Sequence, residues 1–403
     1  MDHDPLDLNK LLIVDCTPKK GDDNLEGNNF QLSDNIKLFQ VNFECQITNQ
    51  DLCNKVEKTF NMAGDIITYS LVLNTPIIVD AKFYNMDPRN LGGATPSRYI
   101  TIFDQDDQVE RFYPQALVKQ LQLPDKPATF KDSDITAEFN SLINWHVPDD
   151  NEPIGKNQYD LLNTVLHEII HGLGFVSSWR SFDDAALNGI TPFLVTDSGS
   201  PLNDLPNTPT IFHGFRETIF DKFIITRNNV VQNRLTYYAN VLNSFANVNS
   251  TFFDFNSQLQ SSPQYDAAKQ VLSFSTTKNS LIFMPKDGKS IPDDGIVLET
   301  QINPYKAGSS ISHVDSIIYN AKNPDFLMRF KSVLGESMDN LISKSGNVTG
   351  NAIGPKLLKI LGSIGYDLAD IPIKKSSASR RSITIDFTFI LQIILCIIFI
   401  TNI

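Results

Sequence analysis

The alternation of apolar and polar positions is clearest from Asp160 to Phe175, D-L-L-N-T-V-L-H-E-I-I-H-G-L-G-F. At about 100° per residue, Asp160, Thr164, His167 and His171 fall on one narrow stripe. Leu162, Val165, Leu166, Ile169, Ile170 and Leu173 occupy the opposite arc. This predicts an amphipathic helix with its back in a core and its polar stripe facing a cleft. Gly172 and Gly174 are expected to end it. Upstream, Ile47 to Leu73 has helical spacing at Val56, Phe60, Ala63, Ile66 and Ile67, and Pro76 to Tyr84 reads as a β-branched strand. Leu91-Gly-Gly-Ala-Thr-Pro reads as a turn, Arg98 to Phe103 as a strand and Tyr113 to Leu121 as a short helix. Asp134 to Ser141 reads as a further strand, and Asn144 to Lys156 as a loop.

Strands and helices therefore alternate, which predicts an α/β (α+β) fold whose N-terminal half carries a mixed sheet and the Asp160–Phe175 helix. After Gly174 the pattern loosens. Thr191 to Pro209 is expected to be loop, His213 to Val231 carries mixed signals, and the stretch to about Ser310 is rich in Asn and Ser. Ile353 to Leu368 reads as a closing helix with a glycine stop. The expected organisation is a disordered lead over 1–30, an N-terminal subdomain over 31–176, and a larger irregular subdomain over 177–372. A linker over 373–386 and an apolar tail over 387–403 follow.

At 403 residues the chain can bury a full-sized core. Its net charge of -12, from 46 acidic and 34 basic residues without a basic block in the body, argues against a nucleic-acid partner. Cys16, Cys45, Cys53 and Cys396 are too few for a disulfide framework; Cys45 and Cys53 are spaced for a local bridge or for two free thiols. No C-x-x-C pair offers a thiolate metal site.

The two ends point in different directions. The N-terminus has neither the basic region nor the apolar run of a signal peptide. Near the C-terminus, Lys374 and Lys375, a small run over 376–379, Arg380 and Arg381 precede the almost wholly apolar Phe387–Ile403. This order resembles a glycosylphosphatidylinositol attachment signal, which predicts a membrane-anchored protein at the cell surface. A cytosol-facing tail anchor is the competing reading. A helix over the tail spans only about 25 Å, against a hydrocarbon core of about 30 Å. A lipid anchor requires export, so a truncated or misassigned start is expected. The sequons at Asn249 and Asn347 are compatible with a secretory route.

The chemistry lies in the Asp160–Phe175 helix. His167, Glu168 and His171 form H-E-x-x-H in a chain of six histidines. Residues four apart on a helix lie one above the other, so both imidazoles can reach one zinc ion. Glu168 points around the axis, where it can hold an attacking water. The plainer alternative, a buried helix with two satisfied histidines, leaves Glu168 unexplained. A catalytic zinc takes three protein ligands, so a third lies elsewhere. The pattern H-E-x-x-H-x-x-G-x-x-H needs histidine at 177, where Ser177 stands, and the next glutamate, Glu217, sits in no helical repeat. His213 and His313 remain. His213, in I-F-H-G-F, also reads as a packed histidine, and His146 as structural or cleft-lining. Asp160, Thr164 and Asp315 are possible partners of the ligands, or plain capping and solvated residues.

His313 lies in G-S-S-I-S-H-V-D and is followed by Met328 in N-P-D-F-L-M. This order resembles metzincin zinc peptidases, and leishmanolysin-type members most closely. The resemblance implies His167, His171 and His313 as zinc ligands and Glu168 as catalytic base. It also implies Gly174 as the turn glycine and Met328 as a methionine turn beneath the metal. It rests on two short regions and on the order of elements. The long insertion from Gly174 to His313 and the scarcity of cysteines depart from it. The chain is also similar to uncharacterised secreted proteins with H-E-x-x-H-G-L-G-F preceded by F-N-S-x-x-N-W, here Phe139 to Trp145.

The function expected is a zinc-dependent metalloendopeptidase acting on protein or peptide substrates, with Asp134–Ser141 as the candidate strand along which a peptide lies. Two other readings stand beside it: a surface-attached binding or adhesion protein on a decayed peptidase scaffold, and a zinc hydrolase of non-peptide substrates.

Overall fold

The computed structural model describes residues 2–4, 7–12, 37–123, 130–148, 152–181, 188–196, 211–227, 232–245, 251–347 and 350–371. Within the lead expected over 1–30, Asp2–Asp4 pairs antiparallel with Asp7–Leu12, where no ordered element was expected. The linker, the apolar tail, Asn249, Cys16 and Cys396 lie outside the described residues. Among those residues no helix is long and apolar enough to cross a membrane. The fold is mixed α/β.

The N-terminal half runs β1 (Phe39–Cys45), α1 (Gln50–Ser70), β2 (Ile77–Tyr84), β3 (Gly92–Pro96), β4 (Tyr99–Asp104), β5 (Val109–Pro114), β6 (Ile135–Asn140) and α2 (Leu161–Gly172). Four strands form one sheet in the order β1-β2-β6-β3. The first three are parallel and β3 runs antiparallel to β6. In β2, Ile77, Val79, Ala81 and Phe83 are buried, and register places Val79, Ala81 and Phe83 opposite Ile135, Ala137 and Phe139. These side chains make one apolar face, as the period of two requires. Both helices pack on it: Phe60 of α1 meets Phe139 edge-on at 5.3 Å, and Gly172 of α2 lies against Ile135. A disulfide between Cys45 and Cys53 ties the end of β1 to the first turn of α1.

Three sequence expectations differ from the fold. Leu91–Pro96 is a strand rather than a turn. Gly-Gly-Ala-Thr-Pro has little β propensity, but an edge position beside β6 tolerates both the glycines and a terminal proline. The strand at 134–141 is flanked by β2 and β3, so its backbone cannot receive a peptide. Among the described residues β3 pairs only with β6, which leaves its other edge open beside the H-E-x-x-H helix. The helix expected over Tyr113–Leu121 is limited to Gln115–Val118, because Tyr113 finishes β5.

The C-terminal half contains β7 (Ile224–Thr226), α3 (Leu235–Asn243), α4 (Phe252–Gln260), α5 (Tyr265–Ser275), β8 (Leu281–Phe283), β9 (Ile296–Val297), α6 (Met338–Ser345) and α7 (Pro355–Ile364). The strands β7, β8 and β9 form a small antiparallel sheet. After α7 the chain returns to the first half. Asp367–Leu368 pairs with Leu71–Val72, and the Tyr366 hydroxyl donates to the Leu173 carbonyl at 3.0 Å. One apolar core consequently runs through both halves.

A buried polar network also joins them. Asp221 accepts from the Ser178 amide (2.9 Å), the Ser178 hydroxyl (2.6 Å) and the Thr218 amide (3.0 Å). Glu217 accepts from the Thr236 hydroxyl at 2.7 Å and lies 3.7 Å from Arg111 Nε. Arg111 in turn grips Asp107 with two bonds of 2.8 and 2.7 Å. Burial pushes the carboxyls of both Glu217 and Asp221 upward, Glu217 to about 7.

Candidate metal centre

The helix α2 begins at Asp160, whose carboxylate accepts from the amides of Asn163 (2.7 Å) and Met338 (3.2 Å). The Thr164 hydroxyl donates to the Asp160 carbonyl at 2.9 Å. Asp160 and Thr164 thus secure the start of the helix. Gly172 does not end it but completes it, for a reason of space: a Cβ there would stand 2.5 Å from Ile135 Cγ2. The stop is Gly174, with φ of +115°, a conformation that favours glycine. The turn it makes brings the Phe175 carbonyl back to His171 Nδ1 at 2.7 Å.

His313 comes from the second half, on a strand-like segment wedged between two others. Val314 bridges both Leu298 and Arg329, the Glu299 amide donates to the His313 carbonyl (2.8 Å), and the Val314 amide donates to Met328 (2.9 Å). The Ser177 amide donates to the Ser312 hydroxyl at 3.0 Å, tying the turn after α2 to this segment.

The three imidazoles converge. Nε2 of His167 lies 3.1 Å from Nε2 of His313 and 3.2 Å from that of His171, and the His171–His313 distance is 3.2 Å. Each Nδ1 meets a carbonyl oxygen: Leu327 for His167 (2.8 Å), Phe175 for His171 (2.7 Å) and Ser309 for His313 (2.9 Å). A carbonyl only accepts, so each Nδ1 carries the hydrogen and each Nε2 presents a lone pair. Three lone pairs this close repel one another unless a cation lies among them. Ligand nitrogens about 2.0–2.1 Å from a tetrahedral zinc sit about 3.3 Å apart, so the triangle fits that ion. Among the described residues this is the one cluster of His, Cys, Asp or Glu so arranged.

Burial holds all three rings neutral. It lowers His167 to about 4, His171 to about 3 and His313 well below the usual histidine range. Burial also pushes the Glu168 carboxyl up to about 8, against the pull of the Ala94 amide, which donates to Oε2 at 3.3 Å. A cation held by the imidazoles would draw it down again. A cleft of about 540 Å³ opens over the triad, walled by β3, Glu168, the 306–309 segment and Arg329–Phe330.

The other residues singled out in the sequence stand elsewhere. His213 is exposed on the strand Phe212–Arg216. His146 lies on a short parallel bridge to Asp160, and Glu217 belongs to the buried Arg111 network. Asp315 accepts from the Ile317 (3.0 Å) and Ile318 (2.8 Å) amides and so caps the turn after His313. Met328 is fully buried between Leu327, whose carbonyl orients His167, and Arg329 on the cleft wall.

Sequence reasoning missed Asn140. Its side chain donates to the carbonyls of Asp87 (2.9 Å) and Asn90 (2.8 Å) and accepts from the Met86 (3.1 Å) and Leu142 (3.0 Å) amides. All of its capacity is spent fixing the loop that leads into β3. The F-N-S-x-x-N-W segment was its signal, and the Trp145 indole donating to the Asn140 carbonyl (2.8 Å) explains why the tryptophan accompanies it.

The SPBPB7E8-like family matches residues 12–385. The chain belongs to the SPBPB7E8-like family. It is similar to the Schizosaccharomyces pombe protein described as uncharacterized protein PB7E8.01, with 27% identity over 382 residues. That match covers 86% of this chain and 66% of the relative, so the chain spans somewhat less than two thirds of that protein's length. No solved structure matches. The descriptions of the SPBPB7E8-like family and of this relative name no activity, so the chemistry rests on the site itself.

Proposed function

We propose that this chain is a zinc-dependent metallopeptidase of zincin type, with a metzincin-like ligand order. The observation that carries the proposal is the triangle of Nε2 atoms 3.1–3.2 Å apart, each ring locked by a carbonyl, with Glu168 on the same helix facing the cleft. His167, His171 and His313 would hold the ion. When bound, zinc supplies a Lewis acid that polarises a scissile carbonyl and acidifies water. Glu168 takes the proton from the attacking water on its carboxylate and later delivers it to the leaving amine nitrogen. The Ala94 amide fixes the Glu168 carboxylate for that work.

The substrate lies extended along the free edge of β3, adding main-chain hydrogen bonds. Gly93 suits this role, because nothing lies within 4 Å of where its Cβ would be. The Met328 segment acts as the floor that keeps His167 oriented. The Cys45–Cys53 bridge supports passage through an oxidising compartment, in keeping with a surface-anchored protein. A protein whose work is adhesion alone has no use for Glu168.

The test uses Glu168→Gln in the full chain, with zinc measured by elemental analysis and proteolysis measured on an unstructured protein. The variant is expected to keep its zinc and lose activity by about 10²–10⁴-fold. Chelation should silence the wild type and added zinc should restore it. Wild-type activity in Glu168→Gln would sink the mechanism.

A further inference from the structure

Three cationic side chains line the cleft: Arg89, Lys306 and Arg329. Arg89 is already committed, through Nε at 3.0 Å and Nη2 at 2.8 Å, to the Asp87 carboxylate. Arg329 is placed differently. It is half-buried, and its Nε donates to the Phe326 carbonyl at 2.9 Å, which sets the direction of the guanidinium. No carboxylate among the described residues pairs with it. Glu336 is close enough for its charge to be felt, but both of its oxygens bond Lys344 Nζ at 2.8 Å. The guanidinium is open to the cleft, where its two amino groups can meet an incoming carboxylate.

The backbone places this group with care. Arg329 bridges Val314, the residue after His313, and Leu327, two residues before it, holds the His167 ring. The same short segment thus orients the His167 imidazole, pairs with the backbone beside His313 and presents Arg329 to the cleft. Lys306, exposed on the cleft wall, adds a second positive charge without a carboxylate partner among the described residues. The net charge of -12 opposes an approaching anion at long range, but salt screens that field beyond about 8–10 Å. Selection for an anion must come from contact inside the cleft.

We propose that Arg329 binds the side-chain carboxylate of a substrate residue beside the scissile bond, so that peptides with Asp or Glu there are preferred over their amide counterparts. The inference rests on the peptidase reading for its substrate, but its own test is binding. The planar fork of arginine matches a carboxylate with two parallel hydrogen bonds.

The probes are labelled peptides with amidated C-termini, identical except for one Glu or Gln moved through successive positions. Binding to zinc-loaded Glu168→Gln, which holds peptide without cutting it, is read by fluorescence anisotropy. The best Glu peptide should bind about 10- to 100-fold more tightly than its Gln twin. Adding Arg329→Gln should erase the difference, Arg329→Lys should keep part of it, and Arg329→Glu should favour a Lys peptide. Zinc content and melting temperature of each variant check that the site remains folded. Equal binding of Glu and Gln peptides overturns the inference, even if the wild type cuts both and the peptidase reading stands. Gln peptides with a free C-terminus, added as controls, that bind as tightly as the best amidated Glu peptide overturn the side-chain assignment. Selective binding abolished by Arg329→Gln supports the inference even if no peptide is cut.

Discussion

Gly172 sets how closely α2 lies against the sheet, and replacing it tests whether that distance governs the metal site. A Cβ at this position would stand 2.5 Å from Ile135 Cγ2 and 3.0 Å from its Cγ1 and Cδ1. Carbon atoms pack best at about 3.5–4.0 Å, so Gly172→Ala must push helix and strand apart by about 1 Å or force Ile135 into another rotamer. Overpacking costs about 1–3 kcal/mol, while alanine gains about 1 kcal/mol over glycine in a helix. The net effect is a loss of about 0–2 kcal/mol, small enough for the protein to stay folded. A zinc site at these histidines would have far less tolerance, because ligand distances must hold to about 0.2 Å and His171 is the neighbouring residue. Gly172→Ala should therefore weaken zinc binding by about 10–100-fold, the range seen when groups that orient ligands are disturbed.

Ile135→Ala removes the obstructing atoms. It costs about 2–5 kcal/mol alone, yet added to Gly172→Ala it should restore most of the zinc affinity. Competition with a chromophoric chelator and urea titration measure the two quantities separately. If Gly172→Ala is stabilised by its helix propensity and binds zinc like the wild type, the close-approach argument is wrong.

Three other outcomes are expected. His313→Ala removes one ligand and leaves the Ser309 carbonyl without its donor, so zinc affinity should fall at least about 100-fold. His213→Ala should change nothing, and equal losses in the two variants would remove His313 from the site. Gly93→Leu fills open space on β3. It should raise KM for an unstructured substrate while shifting stability by no more than about 0.5 kcal/mol, and an unchanged KM would free β3 of its proposed role. Burial, and then the Asp221 charge, raise Glu217 from 4.5 to about 7. With the folded value raised, its contribution to stability is full below about 4.5 and is lost as pH rises through about 7. Glu217→Gln should flatten that fall in urea titrations near about pH 5 and about pH 8; an unaltered slope would contradict the burial argument.

The helix with His167 and His171 was legible because its apolar arc and polar stripe follow one period, and it forms as Leu161–Gly172. His313 could be reached because few histidines competed with it; spacing alone could not place it near a helix 142 residues away. The edge strand was illegible for a physical reason. Gly92, Gly93 and Pro96 form a strand only because β6 offers them a partner, and no local pattern records that. The helices α3 and α5 were missed although their stripes exist. Leu235, Tyr238, Ala239 and Leu242 are buried in α3, as are Ala267, Ala268 and Val271 in α5. Both stripes are short and sit in a stretch whose overall Asn and Ser content reads as loop. The carbonyls that fix the imidazoles come from Leu327, Phe175 and Ser309, and backbone groups leave no mark on side-chain identity. Arg329 gave no signal because its place on the cleft wall depends on backbone pairing with Val314, which no local pattern records.

The third imidazole arrives from the far half of the chain. His167 and His171 meet as soon as one turn of helix forms, whereas His313 closes a loop of 142 residues. A zinc ion held by all three would act as a cross-link, and joining a loop that long removes about 5 kcal/mol of freedom from the unfolded chain. The helix pair alone would be a weak, early binding site. The bridges from Val314 to Leu298 and Arg329 hold the His313 segment, and so would set the effective concentration of His313 at an ion. Substitutions there would be felt as lost metal before they were felt as lost structure.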